Sequence, residues 1–165
     1  MLHRLRQFFT ALNPHLGVKH HTIIAAQLNE AEQTLFFSMD KIDQRHCADV
    51  ALLCDQLSHA TTLGVNRELL LKAALLHDVG KRAGDIKLHH RIWIVLLQAF
   101  WPACMPRLAE RPDTPYNVSL NHPAIGADRC RLIGASPELI RLVDTHHSDS
   151  AGLELTLLRQ ADAQR

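Results

Sequence analysis

Residues 67–81, RELLLKAALLHDVGK, decide the fold. Leu69, Leu70, Leu71, Ala73, Ala74, Leu75 and Leu76 leave a helix here almost no polar face. Such a helix has to lie at the centre of a packed domain. Asn66 is placed to cap it and Gly80 to end it. The apolar run delivers two polar residues, His77 and Asp78, straight from its end, and Lys81 follows three residues later.

Outward from this stretch the pattern stays helical. Asn29 with Glu32 has the shape of a capping box and predicts a helix to about Met39. The spacing predicts another over Asp43–His59, with His46, Val50, Leu53 and Leu57 along its apolar stripe. A helix over Leu88–Trp101 is stopped by Pro102. The stretch from Pro102 to Asn121 holds four prolines; it reads as the least regular part, with the length of a lid or flap. Pro123 fits the first turn of a helix that Gly134 ends, and Ser136-Pro137-Glu138 opens one running to about His147. The last helix starts near Leu153. Leu2, Leu5, Phe8, Phe9 and Leu12 also carry helical spacing. The expectation is an all-α fold, a compact helical bundle, with N-terminal helices (residues 1–40) packing on a main domain over 41–165.

Composition narrows the function. The chain has 165 residues, 47% apolar and 21% charged, with 18 Lys and Arg against 17 Asp and Glu, a formal charge of +1. That balance lacks the electrostatic footprint of a nucleic-acid binder. The longest apolar run, Ile92–Trp101, is broken by Gln98 and falls short of the ~20 residues of a membrane span. Cys47, Cys54, Cys104 and Cys130 form no C-x-x-C pair, which argues against a zinc ribbon and for reduced thiols in the cytoplasm. Cys47 and Cys54 read as small core residues. The anomaly is twelve histidines dispersed along the chain.

Several polar residues stand where apolar ones belong. His46 lies on the apolar face of its helix, where a buried structural histidine is the plain alternative to a ligand. Asp162 follows Leu155 and Leu158 by seven and four residues, so its carboxylate shares their face, a costly position unless paired or bound to a cation. His122 precedes Pro123, which should hold it extended at the entrance of a helix. His146 and His147 end a helix, where a histidine is favourable on dipole grounds alone.

Taken in order, His46, His77-Asp78, His122, His146-His147 and Asp162 resemble the HD-domain metal-dependent phosphohydrolase superfamily. ALLHDVGK, residues 74–81, is the strongest element of that likeness. The resemblance implies that His46, His77, Asp78 and Asp162 hold one divalent metal. It further implies that Asp78 bridges to a second, held by His122 and by His146, His147 or both. Lys81, and more weakly Arg82, would bind substrate phosphate, with Asp78 and Lys81 as the catalytic pair. The Glu-Asp pair of the stringent-response hydrolases has no counterpart after His77-Asp78. Ser-Asp-Ser-Ala-Gly follows His146-His147, so the acidic residue and G-Y-P segment of the HD-GYP branch are missing too.

Imidazole and carboxylate donors suit Fe, Mn, Co, Ni or Zn, with Mg a further candidate. Two such ions can share and acidify a hydroxide. Their excess positive charge attracts a phosphorylated substrate, a nucleotide foremost. The alternatives are a non-catalytic nucleotide or phosphate sensor and a di-iron redox protein, the latter disfavoured because such sites draw on several Glu ligands. Ile92, Trp93, Leu96, Leu97 and Phe100 can cover a lid or a homodimer contact. His89-His90 read as surface residues, and His20-His21 and His59 as structural or solvated.

Overall fold

Capping side chains fix where most of the helices begin. The computed structural model describes residues 14–82 and 84–165; the helix expected within residues 2–12 lies outside them. α1 spans Val18–Gln27 and α2 Glu30–Phe37. The capping box expected at the start of α2 is present: Asn29 Oδ1 accepts from the Glu32 N–H, and Glu32 Oε2 from the Asn29 N–H, both at 2.9 Å. α3, Lys41–Ala60, follows Asp40, and α4, Arg67–Leu76, follows Asn66, whose Oδ1 accepts from the Leu69 N–H at 3.1 Å. α5, Leu88–Phe100, leads through a 3₁₀ turn, Pro102–Cys104, into the short α6, Met105–Leu108. α7, Pro115–Leu132, α8, Pro137–Thr145, and α9, Leu153–Asp162, complete the order. The fold is all-α. Among the described residues, β pairing is confined to an isolated bridge between Met39 and Arg82.

α4 is the central rod. Leu70, Leu71, Leu75 and Leu76 are fully buried, each contributing about 1.5–3 kcal/mol of hydrophobic stabilisation. α3, α8 and α9 pack around it, and Ile24, Leu28, Phe36 and Met39 add α1 and α2 to the same core. A second, smaller core of Ile86, Ile94, Met105 and Val118 joins α5 and α6 to the start of α7.

Three expectations are corrected. α7 begins at Pro115, not Pro123, because Thr114 Oγ1 caps it by accepting from the Asn117 N–H at 3.1 Å. The irregular stretch is therefore shorter than expected and already holds a 3₁₀ turn and α6. His122 accordingly sits inside a helix rather than at its entrance. Pro123 cannot donate to the Ser119 carbonyl four residues back, but His122 Nδ1 takes that carbonyl at 2.9 Å, so the helix runs through the proline. Gly80 is not in the left-handed region that closes a helix. Its role is close approach: a Cβ there would lie 2.0 Å from the His122 carbonyl oxygen. Gly134 does close α7, at φ 72°, with Ala135 N–H bonded to Cys130 O and its own N–H to Arg131 O.

Candidate metal centre

Five helices bring the sequence-predicted residues to one point. His46 projects from the second turn of α3, His77 and Asp78 follow α4, His122 comes from α7, His146 and His147 follow α8, and Asp162 ends α9. His46 Nε2 and Asp162 Oδ1 are 2.9 Å apart, and His77 Nε2 lies 3.9 Å from the same oxygen. Asp78 faces two ways: Oδ2 is 3.7 Å from His77 Nε2, and Oδ1 is 3.2 Å from His122 Nε2. His122 Nε2 in turn lies 3.3 Å from His146 Nε2. His77, Asp78, His122 and His146 are buried, whereas His147 lies at the exposed edge. Three groups have donor atoms mutually within 4.8 Å: His46, His77 and Asp162; His122, His146 and His147; and Cys47, His77 and Asp78.

Backbone carbonyls set the rings. Nδ1 of His77 bonds to Ala74 O at 2.9 Å, that of His122 to Ser119 O at 2.9 Å and that of His146 to Val143 O at 2.7 Å. A carbonyl only accepts, so each Nδ1 carries a proton and Nε2 is the nitrogen turned to the centre. His20 shows the contrast. Its Nδ1 accepts from the Gly17 N–H at 2.8 Å and its Nε2 contacts Asp49 Oδ1 at 3.0 Å, so both nitrogens are spent on structure.

This arrangement fits divalent metal. Burial and then Lys81 lower the His122 imidazole, and burial and then His77 push His146 down to about 2, so both rings are neutral. Two lone pairs then face one another across 3.3 Å, a juxtaposition that repels until a cation receives them. The carboxylates are ready as well. Burial would raise Asp78, but Lys81, His77 and His122 hold it well below the usual carboxylate range. Asp162 is likewise lowered against burial, by its bond to His46 and by His77 beside it. Burial opposes the charged form of His46, yet Asp162 and Asp78 raise it above its ordinary value.

Lys81 Nζ donates to Asp78 Oδ1 at 2.7 Å. Burial pulls its pKa down, but Asp78 and Asp43 outweigh that and raise it, so the ammonium keeps its charge at the edge of the cluster. Arg82 is exposed and is held by its backbone, whose N–H donates to Asp85 Oδ2 at 2.8 Å. Cys47 Sγ, the sequence's small core residue, lies 3.8 Å from His77 Nδ1, the nitrogen already tied to Ala74. Burial pushes its thiol far up, so in the metal-free chain it is protonated. His89 is exposed and His90 half-buried.

The sequence reading missed one pair beside the centre. Arg91, turned inward from α5, donates to buried Asp43 through Nη1 at 2.9 Å and Nη2 at 2.6 Å. Asp43 stands three residues before His46, on the same face of α3, and this bidentate bond ties α5 to the wall of the cluster. An acid in phase with His46 and a lone arginine in an apolar helix were the available signals.

A family model described as the HD domain matches residues 44–164. The chain is 26% identical over 121 residues to Ribonuclease Y of Geobacter sulfurreducens, covering 72% of this chain and 17% of that protein. It is 28% identical over 120 residues to Ribonuclease Y of Cutibacterium acnes, covering 72% and 16%. The chain thus matches about a sixth of the length of these curated relatives. No solved structure gives a significant match.

Proposed function

The chain belongs to the HD-domain family of metal-dependent phosphohydrolases, and we propose that it cleaves a phosphate ester or anhydride of a nucleotide-like substrate at a two-metal centre. The observation that carries this reading is Asp78, whose two oxygens face the His77 and His122 imidazoles at 3.7 and 3.2 Å. In this proposal His46, His77, Asp78 and Asp162 hold one ion. His122, His146 and His147, with Asp78 shared, hold the other. Divalent ions bound there supply Lewis acidity towards phosphoryl oxygens and lower the pKa of water towards neutrality.

The chain's own residues position the rest. The carbonyl-tied rings of His77, His122 and His146 cannot rotate away from the centre without losing a buried hydrogen bond. Lys81 keeps its charge through Asp78 and neutralises a phosphate oxygen, with Arg82 as a further, outer contact. Four unpaired cysteines fit a reducing compartment, and we place the protein in the cytoplasm.

The relatives' name favours a second reading, an RNA phosphodiester as substrate. The near-neutral charge supports the small substrate over the polymer. Turnover of aryl phosphates, nucleotides, dinucleoside polyphosphates and a short RNA with added Mn²⁺ tests both. Lys81→Met is expected to lower turnover by roughly 100-fold while retaining metal. Tight nucleotide binding without turnover over the whole panel would instead make the chain a sensor.

A further inference from the structure

α5 is apolar on both sides. Ile94 and half-buried Leu97 face inward to the smaller core, so Leu97 does not belong to the outer surface. The outward side nevertheless carries Leu88, Ile92, Trp93, Leu96 and Phe100, with Trp101 at its end; Trp93 is 56% exposed, Phe100 67% and Trp101 61%. A helix apolar all round needs cover on both faces.

The charges around this face indicate what covers it. No carboxylate occurs from Ile86 to Ala109. Lys87 precedes the helix and Arg107 follows it, and both are exposed. Of the carboxylates bounding the stretch, Asp85 is already engaged by the Arg82 N–H and by Arg129, and Glu110 lies beyond α6. Within this stretch a second copy would offer Lys87 and Arg107 no acid to pair with. An anionic lipid surface answers both features at once, taking the apolar ridge among its acyl chains and the cations at its headgroups. Trp93 and Trp101 are of the type enriched at that boundary.

We propose that the outer face of α5 docks the protein on an anionic membrane surface, without crossing it. No helix among the described residues is long and apolar enough to span. The docking is independent of the chemistry proposed for the metal centre.

Trp93 and Trp101 are the chain's only two tryptophans, so intrinsic fluorescence reports on this face alone. The full chain is mixed with vesicles of phosphatidylglycerol and phosphatidylcholine, and separately with phosphatidylcholine alone. A blue shift of emission and at least a tenfold greater partition into the anionic vesicles is expected, weakened by salt. A Leu96→Gln, Phe100→Gln, Lys87→Glu variant keeps both tryptophans and alters only exposed side chains; it should lose the shift and the partition. The proposal is overturned by equal partition with both vesicles or none. It is also overturned if the variant binds like the unaltered chain. A lipid-free blue shift that grows with protein concentration and doubles the mass would assign the face to a second copy.

Discussion

His46 and Asp162, 116 positions apart in the chain, meet with Nε2 and Oδ1 2.9 Å apart. The contact joins the second turn of α3 to the last residue of α9, so it closes the bundle around the candidate centre. Asp162→Ala should lower the stability of the metal-free chain by about 1–3 kcal/mol, since it leaves a largely buried imidazole without its partner. Urea denaturation with and without chelator checks this. The loss should be greater when metal is present, because a ligand is removed as well as a pair.

Pro123 offers a second test. It frees the Ser119 carbonyl that orients His122. Pro123→Ala restores an N–H that competes for the same oxygen, so α7 gains a regular bond while His122 loses its fixed tautomer. The expected result is unchanged or higher thermal stability with metal affinity reduced about 10–100-fold, measured by titration calorimetry.

Gly80→Ala should be severe for its size. The added Cβ would stand 2.0 Å from a backbone oxygen of His122, and a backbone atom cannot swing aside as a side-chain tip can. α7 has to move, carrying His122 from Asp78. A loss of about 3 kcal/mol is expected, with metal content falling in the variant that remains folded; Gly64→Ala, which meets open space, serves as the control.

The helices, the central place of α4 and the candidate ligands were legible because each leaves a local mark. Asn29, Asn66 and Ser136 cap by side-chain chemistry, and Asp162 betrays itself by sharing a phase with Leu155 and Leu158. What escaped was tertiary. Pro123 reads as a helix start by local rules, and only the His122 ring bond shows why a helix runs through it. Gly80 reads as a helix stop, yet what it accommodates is the backbone of α7, distant in sequence. Arg91 and Asp43 stand 48 residues apart, and no periodicity joins them.

That pair gives a further prediction. Arg91→Met leaves the buried Asp43 carboxylate unpaired and should cost about 3 kcal/mol. Asp43→Asn with Arg91→Met should recover much of it, as a double-mutant cycle by urea denaturation will show. The single variant should also raise KM more than it lowers kcat, because α5 then loses its tie to the wall of the site.

Acid should destabilise the metal-free chain. His122 and His146 have folded pKa values below the unfolded 6.5, so the unfolded state binds more protons and stability falls as pH drops through 6.5. Between pH 7.5 and 5 the cost is about 2 kcal/mol for the His146 ring, which stays neutral throughout, and His122 acts in the same direction. His46, raised above its ordinary value, acts oppositely: its stabilisation is present at low pH and is lost as pH rises through its folded value. His147 is lowered as well, and with His146 neutral across the whole range a net loss on acidification is expected, read from urea midpoints across that range.

The central claim is that Asp78 is shared between two metal ions. Elemental analysis of the unaltered chain and of Asp78→Ala, each folded by circular dichroism and loaded with Mn²⁺, tests it most directly. About two ions per chain are expected in the first, with most of that content lost in the second. Full metal retention by Asp78→Ala, or none in the unaltered chain at saturating Mn²⁺, would contradict it.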